Sequence, residues 1–454
     1  MFKRKITNYL EKWLNRNTVL LVDGVRQSGK TFSIHSFGKE HFGDDFFEFN
    51  FHEHEDVAPD FSKCQTASEL ITNLSFYSPK PFAPGKTLIF LDEIQLVDGI
   101  DWEMFSKYLI ADGRFRFILS GSLLGITLNG LAQNPSSFKK DKTPLDFSHP
   151  GSSLDEVRLY PMDFEEYLWA CGLSEEVIQQ IKDNYQQEKE VSSIPHKRLL
   201  DYFYEYLFVG GFPDAVESYL KGRDLQELRL AHERIDKMHS HDVTYHALKE
   251  NRVHLLNIYE SLSGQINSKN KRFFLNSIVP ESERYDIQDD FQWLVKAGLA
   301  YPVYNVTEPT IPLKLNEKRS LVKLFESDVG MLTYHLLDTD SIRKLLAKEK
   351  SINYGAIFEN AVAQLLSTHG YDHLYYYDSK KHGEVDFLIE KEGQVIPLEI
   401  KSGKDYKLHR ALSYFLSDDS PYDIPQANIF SDGNLSIKGK EIYYPIYMVD
   451  FLQK

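Results

Sequence analysis

Over the first 160 residues the apolar positions fall in short runs separated by longer segments of mixed polarity. Thr18–Asp23 (TVLLVD), Thr87–Leu91 (TLIFL) and Arg116–Leu119 (RFIL) are too short for stable helices and nearly free of polar residues. That is the pattern of strands buried on both faces of a parallel sheet. The aromatic run FFEFNF predicts a further strand. Helical or loop-like segments separate these runs, so the first third predicts an α/β fold. Phe138–Ser153, rich in Pro, Ser and Lys, reads as an exposed loop. From about Pro161 the pattern is helical through LLDYFYEYLF near residue 200, with QQEKEVSSIPHK as an intervening loop, and it stops at Gly210-Gly211-Phe212-Pro213. Residues from about 225 to 345 are mostly helical, and the last hundred or so return to mixed α/β.

The 454 residues suffice for about three domains, and 42% apolar with 13% aromatic content excludes a disordered chain. The net charge of −15 argues against indiscriminate coating of DNA or anionic membranes, while leaving room for a local basic groove. Two cysteines, Cys64 and Cys171, exclude a disulfide framework and a cysteine-based zinc site, and fit a reducing cytoplasm. The N-terminus alternates charged with apolar residues and lacks an export signal. The longest charge-free stretch, Phe117–Phe138, carries too many Ser, Gly and Asn residues to lie in hydrocarbon. A cytoplasmic protein without a membrane span is expected.

Gly24-Val25-Arg26-Gln27-Ser28-Gly29-Lys30-Thr31 fits G-x-x-x-x-G-K-[ST], with a buried strand before it and a helical pattern after it. Such glycines let backbone N–H groups converge on phosphate oxygens, and the following helix adds its positive end. Lys30 is expected to reach the β- and γ-phosphates of ATP, and Thr31 to ligate Mg²⁺. Leu88-Ile-Phe-Leu-Asp92-Glu93 is an apolar strand ending in two acids: Asp92 for the metal shell, Glu93 for the attacking water. The next strand ends at Ser120-Gly121-Ser122, which places Ser120 near the γ-phosphate. Arg114, Arg116 and Arg158 are candidates for transition-state charge, and Arg26 for phosphate neutralisation, each against an ordinary surface or packing role.

These residues, with Leu91-Asp-Glu-Ile-Gln95, Leu119-Ser-Gly-Ser122, Tyr160-Pro-Met-Asp-Phe-Glu-Glu-Tyr-Leu168 and Gly210-Gly-Phe-Pro213, resemble the prokaryotic AAA-type ATPases that carry a C-terminal domain of unknown function. The resemblance covers most of the chain, most strongly about 17–215 and 350–405. It implies an AAA+ core, a helical lid, a winged-helix-like middle and a nuclease-like end.

Near the C-terminus, Asp386, Glu399 and Lys401 stand in the pattern D-x₁₂-E-x-K. In a hairpin, Glu399 and Lys401 share one strand face, and Ile396, Leu398 and Ile400 face a core. Upstream, Tyr354–Leu366 is an amphipathic helix with Glu359 at the edge of its apolar stripe. Three carboxylates around one point repel unless a cation joins them, and oxygen ligands favour Mg²⁺ or Mn²⁺. The set resembles the PD-(D/E)XK nuclease core, which implies metal binding by Glu359, Asp386 and Glu399 and a catalytic role for Lys401. The surrounding Lys and Arg balance the acids, with Lys380, Lys381, Lys404, Lys407 and Arg410 along one edge.

Other ligand-like clusters have plainer readings. His52-Glu-His54-Glu-Asp56 reads as a strand-to-loop junction. His239-Ser-His241-Asp242 lies in a helix, where i and i+2 point apart. Tyr202, Tyr204, Tyr206 and Tyr375–Tyr377 read as packing faces rather than base-stacking platforms. The segment YDIQDDFQWLVKAGLAYPVYNV resembles the last helix and wing of a winged-helix module, and Lys269, Lys271 and Arg272 precede it as candidate DNA contacts.

The expected architecture is multidomain α/β: a P-loop AAA+ core over 1–170, a helical lid over 171–235, a winged-helix-like region over 236–345 and a restriction-endonuclease-like domain over 346–454. The expected function is an ATPase whose nucleotide state controls the nuclease-like domain, acting on DNA. The rival is an ATP-dependent switch for a protein partner, with a non-cleaving C-terminal module. Oligomers are compatible with both.

Overall fold

The computed structural model describes residues 2–122, 153–246, 252–266, 287–349, 351–402 and 410–454. Residues 138–152 of the expected Phe138–Ser153 loop, most of the charge-free stretch, and Lys269, Lys271, Arg272, Lys404 and Lys407 lie outside the described residues.

The first sheet contains β1 (Val19–Asp23), β2 (Phe46–Asn50), β3 (Leu88–Asp92), β4 (Arg116–Ser120) and β5 (Leu154–Arg158), all parallel in the order β2-β3-β4-β1-β5. Val19, Leu21, Ile89, Leu91, Phe117 and Leu119 pack in the core that includes Leu70 and Trp102. Leu20, Val22, Leu88, Phe90 and Ile118 pack in the core that includes Trp13, Ile34 and Phe37. Both faces are therefore dry, which is why these strands read as continuous apolar runs. β5 escaped the pattern because it is an edge strand, LDEVR, with only its leucine buried. Charged edge strands discourage pairing with other chains.

The second sheet has eight strands in the order β12-β13-β11-β10-β9-β8-β6-β7. These are β6 (Ala300–Val306), β7 (Glu317–Glu326), β8 (Leu374–Ser379), β9 (Gly383–Lys391), β10 (Gln394–Lys401), β11 (Ala427–Ser431), β12 (Ser436–Lys438) and β13 (Glu441–Pro445). The β6–β7 hairpin, at the place expected for a wing, pairs in parallel with β8. Strands on both sides of residue 346 thus belong to one sheet. Helix Tyr354–Thr368 is buried along nearly its whole length and packs with Leu398, Ile400 and Phe430, whereas helix Arg410–Leu416 packs on the other face with Val395 and Ile429.

Helices between the sheets weld them together. A single apolar cluster runs from Val25 beside the P-loop through Phe203, Phe208 and Phe358 to Met448. Inside it lies a polar junction. Asp328 accepts hydrogen bonds from the Gly211 N–H at 2.7 Å, the Met331 N–H at 3.2 Å and Gln364 Nε2 at 3.1 Å. Gln364 Nε2 also donates to Tyr206 at 3.0 Å, and Tyr206 donates to the Met162 carbonyl at 2.8 Å. A Cβ at Gly211 would lie 2.1 Å from the Met162 oxygen. Gly210-Gly211 is therefore more than a helix stop: it is where the Tyr160–Leu168 block, helix Ser193–Val209 and the 328–331 turn meet.

Helix Leu225–His246 spans the same junction. His335 bridges Asp236 of that helix and Glu326 of β7, at 3.1 Å each. Burial alone would lower the His335 pKa, but the two carboxylates raise it to about 10. A raised histidine contributes stability that is complete below its ordinary value of 6.5 and is lost as pH rises through about 10. The melting temperature lost in His335→Gln is therefore expected to be largest at pH 6 and to shrink steadily toward pH 10, as measured by thermal melts of both proteins. A loss independent of pH would refute the charged bridge.

Candidate nucleotide site

β1 ends at Asp23 and the chain turns at once. Gly24 has φ +151°, and a Cβ there would sit 2.2 Å from the Leu159 carbonyl oxygen, so only glycine passes. Gly29, at φ +94°, opens helix Lys30–Phe42. The loop between them is a ring of backbone at a helix N-terminus, the geometry that takes phosphate oxygens. Lys30 is buried and donates to the Gly24 and Val25 carbonyls at 2.9 and 3.0 Å. Burial pushes its pKa down, so an anion in the loop would restore the charge that desolvation disfavours.

Thr31 Oγ1 donates to Asp92 Oδ2 at 2.7 Å, across from β3. Asp92 also accepts from Asn50 Nδ2 at 3.1 Å and from the Ser120 hydroxyl. Burial raises the Asp92 pKa against these hydrogen bonds. A carboxylate so placed beside a threonine hydroxyl suits a hard divalent cation, and the donor set fits Mg²⁺. Glu93 follows in the left-handed region at φ +56°, a conformation that costs energy outside glycine and that clusters at working sites. Gln95 Nε2 donates to Glu93 Oε2, and Ser122 Oγ donates to the same oxygen at 3.2 Å. The strand-to-turn geometry after β3 and the alternation of Ser120 and Ser122 thus hold two adjacent acids with two serines. Gln95 and Ser122 carried no assigned role in the sequence; the Asp-Glu-Ile-Gln spacing was the available signal.

Arg26 lies at the loop tip, paired with Asp242 of helix Leu225–His246 at 2.6 Å. Gln27, at φ +65°, donates to Met238 Sδ at 2.9 Å. Ser28 is buried, and its carbonyl accepts from Arg4 at 2.7 Å. The other arginines have partners of their own: Arg114 with Asp112, Arg116 over the Trp13 ring, and Arg158 with Asp23.

In the second sheet, the pairs Tyr375–Leu388 and Tyr377–Val385 leave Asp386 and Phe387 opposite Tyr376 alone, a β-bulge. Asp386 Oδ2 accepts the Ile400 N–H of β10 at 2.8 Å, and Lys401 Nζ lies 2.5 Å from Glu399 Oε1. Glu399 and Lys401 alternate away from Leu398 and Ile400, which pack with helix Tyr354–Thr368. Glu359 is buried within that helix. Among the described residues, the three metal-ligand side chains whose ligand atoms all lie within 4.8 Å are Asp163, His369 and Asp450. Glu359, Asp386 and Glu399 are not gathered that closely.

The Asp163 trio already has its cations. Lys5 Nζ stands 2.6 Å from Asp163 and 2.7 Å from Glu165, and His369 lies 2.9 Å from Asp450. Burial would lower the His369 pKa, but Asp450 and Asp163 raise it. Arg4 and Lys182 pair with Glu166 and Glu165. This is an ion-pair cluster tying the N-terminal segment to the last residues of the chain. His52 bonds Glu55 in an exposed turn, and Tyr204, Tyr206 and Tyr375–Tyr377 are buried packing residues.

Among the described residues no helix is long and apolar enough to cross a membrane. Residues 200–342 and 354–449 match two domains of unknown function. An uncharacterized protein of Methanocaldococcus jannaschii is 26% identical over 399 residues, spanning 86% of this chain and 77% of the relative. The structure has weak overall similarity to AMPPCP-bound DnaA from Aquifex aeolicus (TM-score 0.29, 11% identity, 63% of this chain and 81% of that one). Similarity to a STAND ATPase with a tetratricopeptide repeat sensor from Pyrococcus horikoshii is equally weak (TM-score 0.27, 12% identity, 80% of this chain and 47% of that one). Residues 16–168 match the AAA domain. With a parallel P-loop sheet beneath that match, the chain carries an AAA domain.

Proposed function

We propose that the chain binds Mg·ATP at Gly24–Thr31 and hydrolyses it with Glu93 as the base, and that the nucleotide state is passed to the second sheet. The observation that carries this reading is the Thr31–Asp92 contact directly under the Gly24–Lys30 loop, with Glu93 one residue further on. Gly24, Gln27, Ser28 and Gly29 would present backbone N–H groups to the phosphates, Lys30 would leave its carbonyl partners for the β- and γ-oxygens, and Arg26 would add positive charge. Thr31 and Asp92 would hold Mg²⁺, which neutralises phosphate charge when bound. Ser120 fixes Asp92, and Glu93 takes a proton from water as the water oxygen bonds the γ-phosphorus and the γ-phosphorus–oxygen bond to ADP breaks.

In the same reading 171–235 is the lid, 236–345 a winged-helix-like region, and 346–454 a PD-(D/E)XK-like domain acting on DNA. Glu359, Asp386 and Glu399 would be metal ligands there, and Lys401 the catalytic cation. The bulge at Asp386 supports a working site, since bulges re-aim side chains beside active centres. That the ligand atoms of these three do not all lie within 4.8 Å of one another favours a second reading, in which this domain recognises a protein or DNA without cutting it.

One experiment separates the two. Purified protein, Lys30→Ala and Asp386→Ala are assayed for ATP turnover and for cleavage of labelled single- and double-stranded DNA with Mg²⁺ or Mn²⁺. Lys30→Ala is expected to abolish turnover. Cleavage lost in Asp386→Ala establishes the nuclease; turnover without any cleavage leaves the recognition module. Turnover that survives Lys30→Ala overturns the ATP site.

A further inference from the structure

Two residues of the P-loop tip are engaged by one helix from more than two hundred positions away in the chain. Arg26 Nη1 meets Asp242 Oδ1 at 2.6 Å, and the Asp242 side chain is only 4% exposed. Gln27, in a strained left-handed conformation, bonds Met238 one helical turn earlier. Between them His239 is 3% exposed, its ring close enough to the Arg26 backbone to feel it, and its Nε2 is buried with no hydrogen-bond partner. Buried polar atoms are nearly always satisfied, so an orphan nitrogen beside a phosphate loop marks a place for a ligand group.

We propose that helix Leu225–His246 is the nucleotide-reading element of the protein: Asp242 occupies Arg26 in place of a nucleotide phosphate, and phosphate entering the loop takes Arg26 from it while meeting His239 Nε2. This rests on the ATP reading above and goes beyond it. A carboxylate and a phosphate compete for the same guanidinium, because both are oxyanions that match its planar fork. Loss of the Arg26 pair frees the helix at 238–242, while 236 stays tied through His335 to β7. The helix is therefore the physical link between the P-loop and the second sheet.

The test is equilibrium binding of a fluorescent ATP analogue with Mg²⁺ to the full chain and to Asp242→Asn, Arg26→Ala, the double variant and Lys30→Ala. Asp242→Asn is expected to bind about tenfold tighter and Arg26→Ala about tenfold weaker, within the usual range of coupling between sites. The double variant should match Arg26→Ala, because Asp242 acts through Arg26. Hydrogen exchange of the wild type, which needs no substitution to fold, should rise over 238–246 when nucleotide binds. Binding lost in Lys30→Ala but unchanged in Asp242→Asn overturns this inference alone, as does tightening that persists without Arg26 or helix exchange indifferent to nucleotide. Binding indifferent to Lys30 overturns the ATP reading and the inference with it.

Discussion

Glu93→Gln is expected to bind ATP within a few-fold of the wild type and to hydrolyse it at least about a hundredfold more slowly, because a positioned base contributes roughly 10²–10⁴ in rate. The substitution keeps the volume and keeps an oxygen for Gln95 and Ser122, both of which donate to Glu93 Oε2. The left-handed turn after β3 should survive too, since its strain is stored in backbone and not in the carboxylate. What is lost is the lone pair that accepts a proton from water. Single-turnover hydrolysis and analogue binding, measured side by side, separate the two effects. Unchanged turnover would mean that another group is the base; lost binding would mean that Glu93 shapes the pocket instead.

Asp328→Ala is expected to cost on the order of 3 kcal/mol of stability, although it lies far from the P-loop in sequence. Its carboxylate accepts from two backbone N–H groups and from Gln364, all inside the apolar cluster. Alanine leaves these donors dry and unpaired. Removing a buried acid gives some of this back, since burial has already pushed the Asp328 pKa up to about 6. Asn, which keeps the shape and one strong acceptor, should cost less than Ala. Urea denaturation gives both values. A cost for Ala below about 1 kcal/mol would show that the junction tolerates unpaired donors and is looser than its hydrogen bonds imply.

The P-loop, the Asp92-Glu93 strand end and the Asp386–Lys401 hairpin were legible because each is a short-range pattern: a glycine spacing, an apolar strand with terminal acids, an alternation. The parallel sheet followed for the same reason, except at β5, whose charged edge hides the apolar signal. What could not be read was long-range pairing. Nothing local ties Arg26 to Asp242, or β6 to β8. Asp242 invited comparison with His239 and His241 because they are neighbours in sequence, whereas its partner is more than two hundred positions away. Gly210-Gly211 announced a helix stop and concealed its bond to Asp328. How near Glu359 comes to Asp386 was equally out of reach, because amphipathic periodicity cannot say on which face of a sheet a helix will lie.

Helix Tyr354–Thr368 also bears on how such a protein can be assembled over evolutionary time. It covers one face of the second sheet and at the same time fills the centre of the helical region, and two strands of that sheet precede it in the chain. A recombination breakpoint between β7 and β8 would deliver a gene segment encoding an unpaired β8 edge and a helix stripped of half its cover. The P-loop sheet and the C-terminal region are therefore poor currency for domain shuffling, and they are expected to be inherited and lost together.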